Sequence, residues 1–255
     1  MVALGIKKRS RRAMERQLEY QQRKAALIRN QEASIIASMM ARSRRLHERL
    51  ERIQPLPIAT RALEVGSGAH GLIFYFDAAE KVGVDPLADQ YKELFPAWQD
   101  RARTIAVGGE SLPFETSTFD VVISDNVVDH AESPRRIIEE MTRVLAPGGL
   151  MYFTVHIHHP FYHWAASLHA AWRALGVPFE ITPFADHTVH LTLGAARQLF
   201  TGLPLRILEE SNTITETRQI DKIAPRRHAG DRLKRLFFKN AQIELIAIKE
   251  TTGIT

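Results

Sequence analysis

"ALEVGSGAHG", residues 62–71, runs from apolar residues into an acid and then through three glycines. A glycine-rich turn that follows a strand lets backbone N–H groups approach a bound nucleotide closely. Working outward, the chain alternates strand and helix. "RALEV" reads as a strand and "HGLIFYF" as a short helix after the turn. "KVGVD" is a second strand, and a helical stretch is expected from Pro86 to Trp98. "RTIAV" and "FDVVISD" are the third and fourth strands. "SPRRIIEEMTRVLA", residues 133–146, is an amphipathic helix, with Ser133 as its cap and Pro134 at its first position. Its buried face is Ile137, Ile138, Met141 and Leu145; "PGG" ends it, and "LMYFTVHI" makes a fifth strand. "LRILEE" and "IELIAIKE" read as two more strands, with a loop rich in Arg and Lys between them. Such alternation implies an α/β fold, a parallel sheet with helices on both faces.

The 255 residues are 45% hydrophobic and 25% charged, an ordinary globular balance. No apolar run reaches the ~18–20 residues of a membrane span, and no secretory signal is expected. With no cysteine, disulfides, thiolate metal sites and cysteine nucleophiles are excluded, and a cytoplasmic location fits. Charge is uneven. Residues 1–52 hold 14 basic and five acidic side chains, whereas the remainder holds 20 and 24. Residues 8–53 lack Pro and Gly and favour helix, until "QPLP" at 54–57 stops it. We therefore expect a basic helical extension over residues 1–53 and a main domain over 54–255. From about Ser34 the helix should pack on the body. The arm suits an anionic partner (RNA, anionic lipid or an acidic protein) or a homo-oligomer formed through the helix; equally, it is a solvated face that maintains solubility.

"GSGAHG" fits G-x-G-x-x-G, and Asp85 ends the next strand 19 residues after Gly66. That spacing admits NAD, with pyrophosphate at the helix start and ribose on the acid. Three features point elsewhere. Glu64 precedes the first glycine by two residues, where an anion opposes pyrophosphate but suits a cationic α-amino group. "ESLPFETSTFDVVISDNVVDH" joins an "LPF" turn to a strand with a polar end. "RVLAPGGLMYF" closes a helix on two glycines and starts a strand. Together these resemble the class I S-adenosylmethionine-dependent methyltransferases, in the small-molecule branch with the ubiquinone- and menaquinone-type enzymes. The resemblance covers about residues 60–156 well and the two C-terminal strands loosely. It implies a Rossmann-like, seven-stranded, mostly parallel sheet whose final antiparallel strand is inserted beside its neighbour.

Carried over by position, the resemblance implies a cofactor site and assigns its residues. Glu64 would face the methionine amino group, with Gly66, Ser67 and Gly68 forming the turn under the methionine and ribose. Asp85 would accept from the ribose hydroxyls; a helix-capping role ahead of Pro86 is its structural alternative. Glu110, Ser111 and Leu112 would lie along the adenine, and Asp125 and Asn126 near the methionine end. Two departures stand out. His70 occupies a place where the family often has glycine, and Gly108 stands where an acid often opens the adenine loop. Glu110 or backbone amides would then read the base.

Methyl transfer needs the acceptor placed near the activated carbon, exclusion of water and, for a hydroxyl, removal of a proton. The acceptor should approach from the carboxyl ends of the strands. Histidine is abundant there: "DNVVDH" ends in Asp129 and His130, and "HIHHPFYH" holds His156, His158, His159 and His163. "ADHTVH" adds Asp186, His187 and His190. His130 is the first candidate base, with His158 and His159 behind it; no tight ligand spacing predicts a metal. Residues 157–190, which include Phe161, Tyr162, Trp164, Trp172, Phe179 and Phe184, are expected to form a helical lid insert over the acceptor. The leading expectation is methylation of a small-molecule or glycan-like acceptor, at oxygen. The alternatives are an RNA methyltransferase gripping phosphate with its arm, an NAD-dependent oxidoreductase, and a non-catalytic cofactor-binding partner protein.

Overall fold

The computed structural model describes residues 15, 18, 19, 21–23, 32–162, 190–223 and 235–251. Most of the expected lid insert and most of residues 1–31 therefore lie outside the described residues. Seven strands form one sheet: β1 (Arg61–Val65), β2 (Glu80–Val84), β3 (Arg103–Ile105), β4 (Phe119–Asp125), β5 (Leu145–Ile157), β6 (Leu205–Asn212) and β7 (Ala241–Lys249). Their spatial order is β3-β2-β1-β4-β5-β7-β6. The first five run parallel, while β7 lies antiparallel between β5 and β6. Strand order reverses at β1 and β4, the point at which open α/β sheets hold their ligands.

Side chains alternate across β1, so Leu63 and Val65 face one layer while Ala62 and Glu64 face the other. On the first side, Leu63, Val65, Val122 and Met151 pack with Ile137, Ile138 and Met141 of α4 (Pro134–Val144). On the second, Ala62, Val121, Ile123 and Tyr152 pack with Leu46 and Leu50 of α1 (Glu32–Ile53). Leu50 is fully buried, as is Ser43, whose hydroxyl donates to Leu72 O at 3.0 Å. Arg49 reaches Glu209 Oε2 at 2.6 Å and also pairs with Glu244, which accepts from Tyr152 Oη. α1, the last part of the basic extension, is thus built into the sheet's second layer. Leu72, Ile73, Phe74 and Phe76 complete that layer.

Three local expectations change. The segment after the glycine turn is a single 3-10 turn, Leu72–Phe74, with all three side chains buried. α1 occupies the face that a longer helix there would cover. The stretch from Pro86 to Trp98 divides into α2 (Ala88–Leu94) and α3 (Pro96–Gln99). Pro96 supplies no N–H and drives Phe95 out of helical geometry, to φ −136° and ψ 55°. Ser133 makes no side-chain capping bond to α4, and Leu145 already has ψ 133° and opens β5.

Candidate active site

The glycine turn is fixed from both sides. Gly66 and Ser67 donate to Val84 O at 2.7 and 3.1 Å, and Gln99 Nε2 donates to Gly68 O and Ala69 O, each at 3.1 Å. Gly66 has φ +78°, and a Cβ there would fall 2.4 Å from the Val127 side chain. Glycine is needed at Gly66 for both reasons. At Gly71 a Cβ would meet Glu64 Oε2 at 2.3 Å, so this glycine admits the carboxylate. His70 fills its place by packing edge-on against Phe95 and Trp98, with ring centroids 4.6 and 4.5 Å away. Ser67 contributes only backbone to the turn's open side, because its side chain is buried against Gly83.

Glu64 is buried at the end of β1, and its Oε2 accepts from Ile73 N at 2.8 Å. Burial pushes its carboxyl up to about 8, and the neighbouring Asp125 anion adds to this; the bonds from Ile73 and Leu72 and the Arg42 charge act the other way. Asp85 follows β2 and accepts from Gly68 N at 3.1 Å and from Leu87 N at 2.8 Å. Burial raises its carboxyl above the ordinary range, opposed by those two bonds. The Leu87 bond is the helix-capping role; the Gly68 bond ties the same carboxylate to the glycine turn. Each oxygen retains a lone pair for a further donor.

Asp125, at the end of β4, accepts from Thr154 Oγ1 at 2.7 Å and from Arg42 Nη2 at 2.8 Å. Arg42 lies on α1, among residues that look on the sequence like a solvated arm, and it is the functional candidate that sequence reasoning missed. Asn126 adopts φ +62°, and its buried Oδ1 has no hydrogen-bond partner among the described residues. Gln99 was also missed, because a neutral side chain far along the chain gives no motif signal.

The adenine-side residues are divided. Glu110 Oε1 accepts from Glu132 N at 3.2 Å, joining the loop after β3 to the one before α4, and Ser111 is exposed. Leu112 is a core residue: its side chain is buried with Ile137, and its N–H donates to Glu140 Oε2 at 2.8 Å. That N–H is therefore already paired within the fold. Among the histidines, His130 ends a 3-10 turn, Val128–His130, with its side chain about half exposed. His158 is buried, and its Nδ1 accepts from Asn240 N at 3.3 Å. His159 Nδ1 accepts from Phe161 N at 3.2 Å, and burial, with Arg218 adding, lowers its imidazolium stability. These bonds engage the Nδ1 lone pair of each ring. His163, Asp186 and His187 lie outside the described residues.

Residues 63–153 match the family model described as a methyltransferase domain. An uncharacterized methyltransferase of Mycobacterium sp. (strain JLS) is 32% identical over 145 residues, covering 55% of this chain and 48% of the relative. The rat thiol S-methyltransferase TMT1B is 28% identical over 155 residues, covering 56% of this chain and 64% of the relative. The chain thus spans about half the length of the first of these curated relatives and under two thirds of the second. Among solved structures, a geranyl diphosphate methyltransferase in complex with S-adenosylmethionine shares the fold with TM-score 0.57, at 15% identity over 86% of this chain and 90% of that one. The YcgJ protein of Bacillus subtilis gives 0.56, at 19% identity over 79% and 97%. With its sheet order, glycine turn and acid pair, this chain carries a class I, S-adenosylmethionine-dependent methyltransferase domain.

Proposed function

We propose that the protein transfers a methyl group from S-adenosylmethionine to the hydroxyl of a small molecule. The observation that supports the cofactor half of this reading is the group of charged side chains at the strand ends. Glu64 supplies a carboxyl that can give up its proton to a bound cation, Asp125 an anion and Arg42 a cation, and the Arg42–Asp125 pair is 2.8 Å long. An amino acid tail carries one charge of each sign, so this set fits it, whereas two carboxylates at that place oppose a pyrophosphate. Arg42 would take the tail's carboxylate, and Glu64 and Asp125 its ammonium. Asp85 would hold the ribose, and the Gly66–Gly68 backbone would lie beneath. Asn126 Oδ1, which has no hydrogen-bond partner among the described residues, adds an acceptor next to the same end.

When bound, the cofactor supplies a methyl carbon already activated by positive sulfur. The chain's own residues bind, orient and exclude water. A hydroxyl acceptor must also lose a proton, and the imidazoles of His130 and His156 at the same end of the sheet are the groups with suitable chemistry. The similarity to the rat thiol S-methyltransferase favours a second reading in which the acceptor is a thiol. Both readings need an acceptor that gives up a proton.

Labelled-methyl transfer in cell extract, followed by identification of the product, tests the proposal. We expect a labelled small-molecule ether. Label found only in RNA or protein would contradict this reading.

A further inference from the structure

Residues 106–118 join β3 to β4 without forming a helix or strand. Their start lies beside the glycine turn and Asp85. Ile105 O accepts from Asp85 N at 3.2 Å, and Gly109 packs so closely on Val65, the residue before Gly66, that a Cβ would fall 2.6 Å from Val65 Cγ1. Two charged side chains of α4 hold the middle. Glu140 Oε2 accepts from Leu112 N at 2.8 Å, while Arg143 Nη2 donates to Leu112 O at 3.0 Å and Nη1 to Phe114 O at 2.7 Å. The two also pair with each other, Arg143 Nε on Glu140 Oε1 at 2.9 Å and Nη2 on Oε2 at 2.8 Å, a fork that fixes direction as well as distance. Glu140 is 5% exposed and shares α4 with the buried Ile137, Met141 and Val144. An ion so placed is costly unless it is paired and hydrogen-bonded. The Arg143 bond holds its carboxyl below the usual range, against the pull of burial.

We propose that Glu140 and Arg143 are positioning residues for the adenine of the cofactor; this rests on the adenine placement that the family resemblance implies for residues 110–112. The pair engages both the N–H and the C=O of Leu112, so it acts on the loop and, through the loop, on the ligand. Glu110 and Ser111 follow the Gly109 contact and precede this clamp, so their place is set from both ends. Glu110 is tied a third time, through Oε1, to Glu132 N at 3.2 Å. A loop without ladder bonds of its own would otherwise lose conformational entropy when the base arrives. Held beforehand, it presents a prepared surface, and one hydrogen bond to the adenine edge contributes about tenfold in affinity. Arg42, Glu64 and Asp125 stand on other elements, so the pair acts on the choice of base and not on the grip of the amino acid tail.

The test compares S-adenosylhomocysteine with S-inosylhomocysteine, which carries hypoxanthine in place of adenine, by calorimetric titration of the full chain. The wild type should prefer the adenine ligand by about tenfold or more. Arg143→Lys keeps the charge but loses the fork to two carbonyls, so that preference should fall to about threefold or less. Glu140→Gln keeps an acceptor for Leu112 N and should lose less of the preference than Glu140→Ala. A purely structural role would weaken both ligands alike and leave their ratio where it was. Hydrogen exchange of the unaltered, ligand-free chain carries the test if the variants do not fold. There the Leu112 amide should exchange at least about a hundredfold more slowly than in an unstructured peptide. Equal binding of the two ligands by the wild type, an unchanged ratio in the folded variants, or a Leu112 amide as fast as in the peptide overturns this inference alone. Failure of the wild type to bind S-adenosylhomocysteine overturns the proposed function along with it.

Discussion

Arg42 Nη2 lies 2.8 Å from Asp125 Oδ2, joining α1 to the end of β4 across 83 positions of sequence. A pair with side chains 40% and 14% exposed contributes at most about 1 kcal/mol to stability. Removing Arg42 should therefore affect ligand affinity more than folding. We expect Arg42→Ala to change unfolding free energy by less than about 1 kcal/mol and to weaken S-adenosylhomocysteine binding about tenfold, which corresponds to 1.4 kcal/mol. Calorimetric titration of the folded variant checks this; unchanged affinity would remove Arg42 from the site.

Asp85 offers a second separation of roles. Asp85→Ala removes two acceptors from backbone N–H groups as well as the proposed ribose contact. Binding should weaken at least about tenfold. Asp85→Asn keeps an acceptor, so it should retain more stability than the Ala variant while still binding less tightly than the wild type. Native-like affinity in a folded Ala variant would mean that the carboxylate serves the turn and the helix start only.

The place of α1 in the core predicts the outcome of truncation. Leu50 is fully buried, so Leu50→Ala should cost about 2–5 kcal/mol, measured by urea denaturation. A chain beginning at residue 32 should remain folded; one beginning at residue 54 should not, since Leu46 and Leu50 would leave the sheet's second face open to water. A stable chain from residue 54 would show that α1 is an appendage after all.

Glu64 makes stability depend on pH in a stated direction. Its folded carboxyl is raised from 4.5 to about 8, so between those values the folded state binds the proton more tightly than the unfolded chain. Its contribution is complete below about pH 4.5 and is lost as pH rises through about 8. The wild type should lose stability relative to Glu64→Gln over that window, at a slope of up to about 1.4 kcal/mol per pH unit. Parallel pH profiles for the two proteins would place the titration elsewhere.

Much of this was legible in the sequence because period and turn chemistry are local. The valine and isoleucine runs of β2, β4 and β7, and the glycines at 66 and 68, identify strands and turn without any knowledge of partners. Glu64, Asp85 and Asp125 were named on the resemblance, and each lies at or just beyond the end of a strand that the pattern reveals. Arg42 was not legible. It lies among other arginines on a helix, and only the packing of Leu46 and Leu50 turns that face onto Asp125. The N–H partner of Leu112 was hidden for a related reason. The "LPF" turn looks open in sequence, but Glu140, 28 positions away, captures its N–H. The split at Phe95 was visible in principle, since Pro96 announces it.

The central claim is that buried Glu64 receives a positively charged amino group. Calorimetric titration with S-adenosylhomocysteine at pH 7, in two buffers of different ionisation heat, tests it most directly. Glu64 carries a proton before binding and gives it up to pair with the ammonium, so the wild type should release close to one proton and Glu64→Gln none. Binding with the same heat in both buffers, or tight binding of a nicotinamide dinucleotide in its place, would contradict the account.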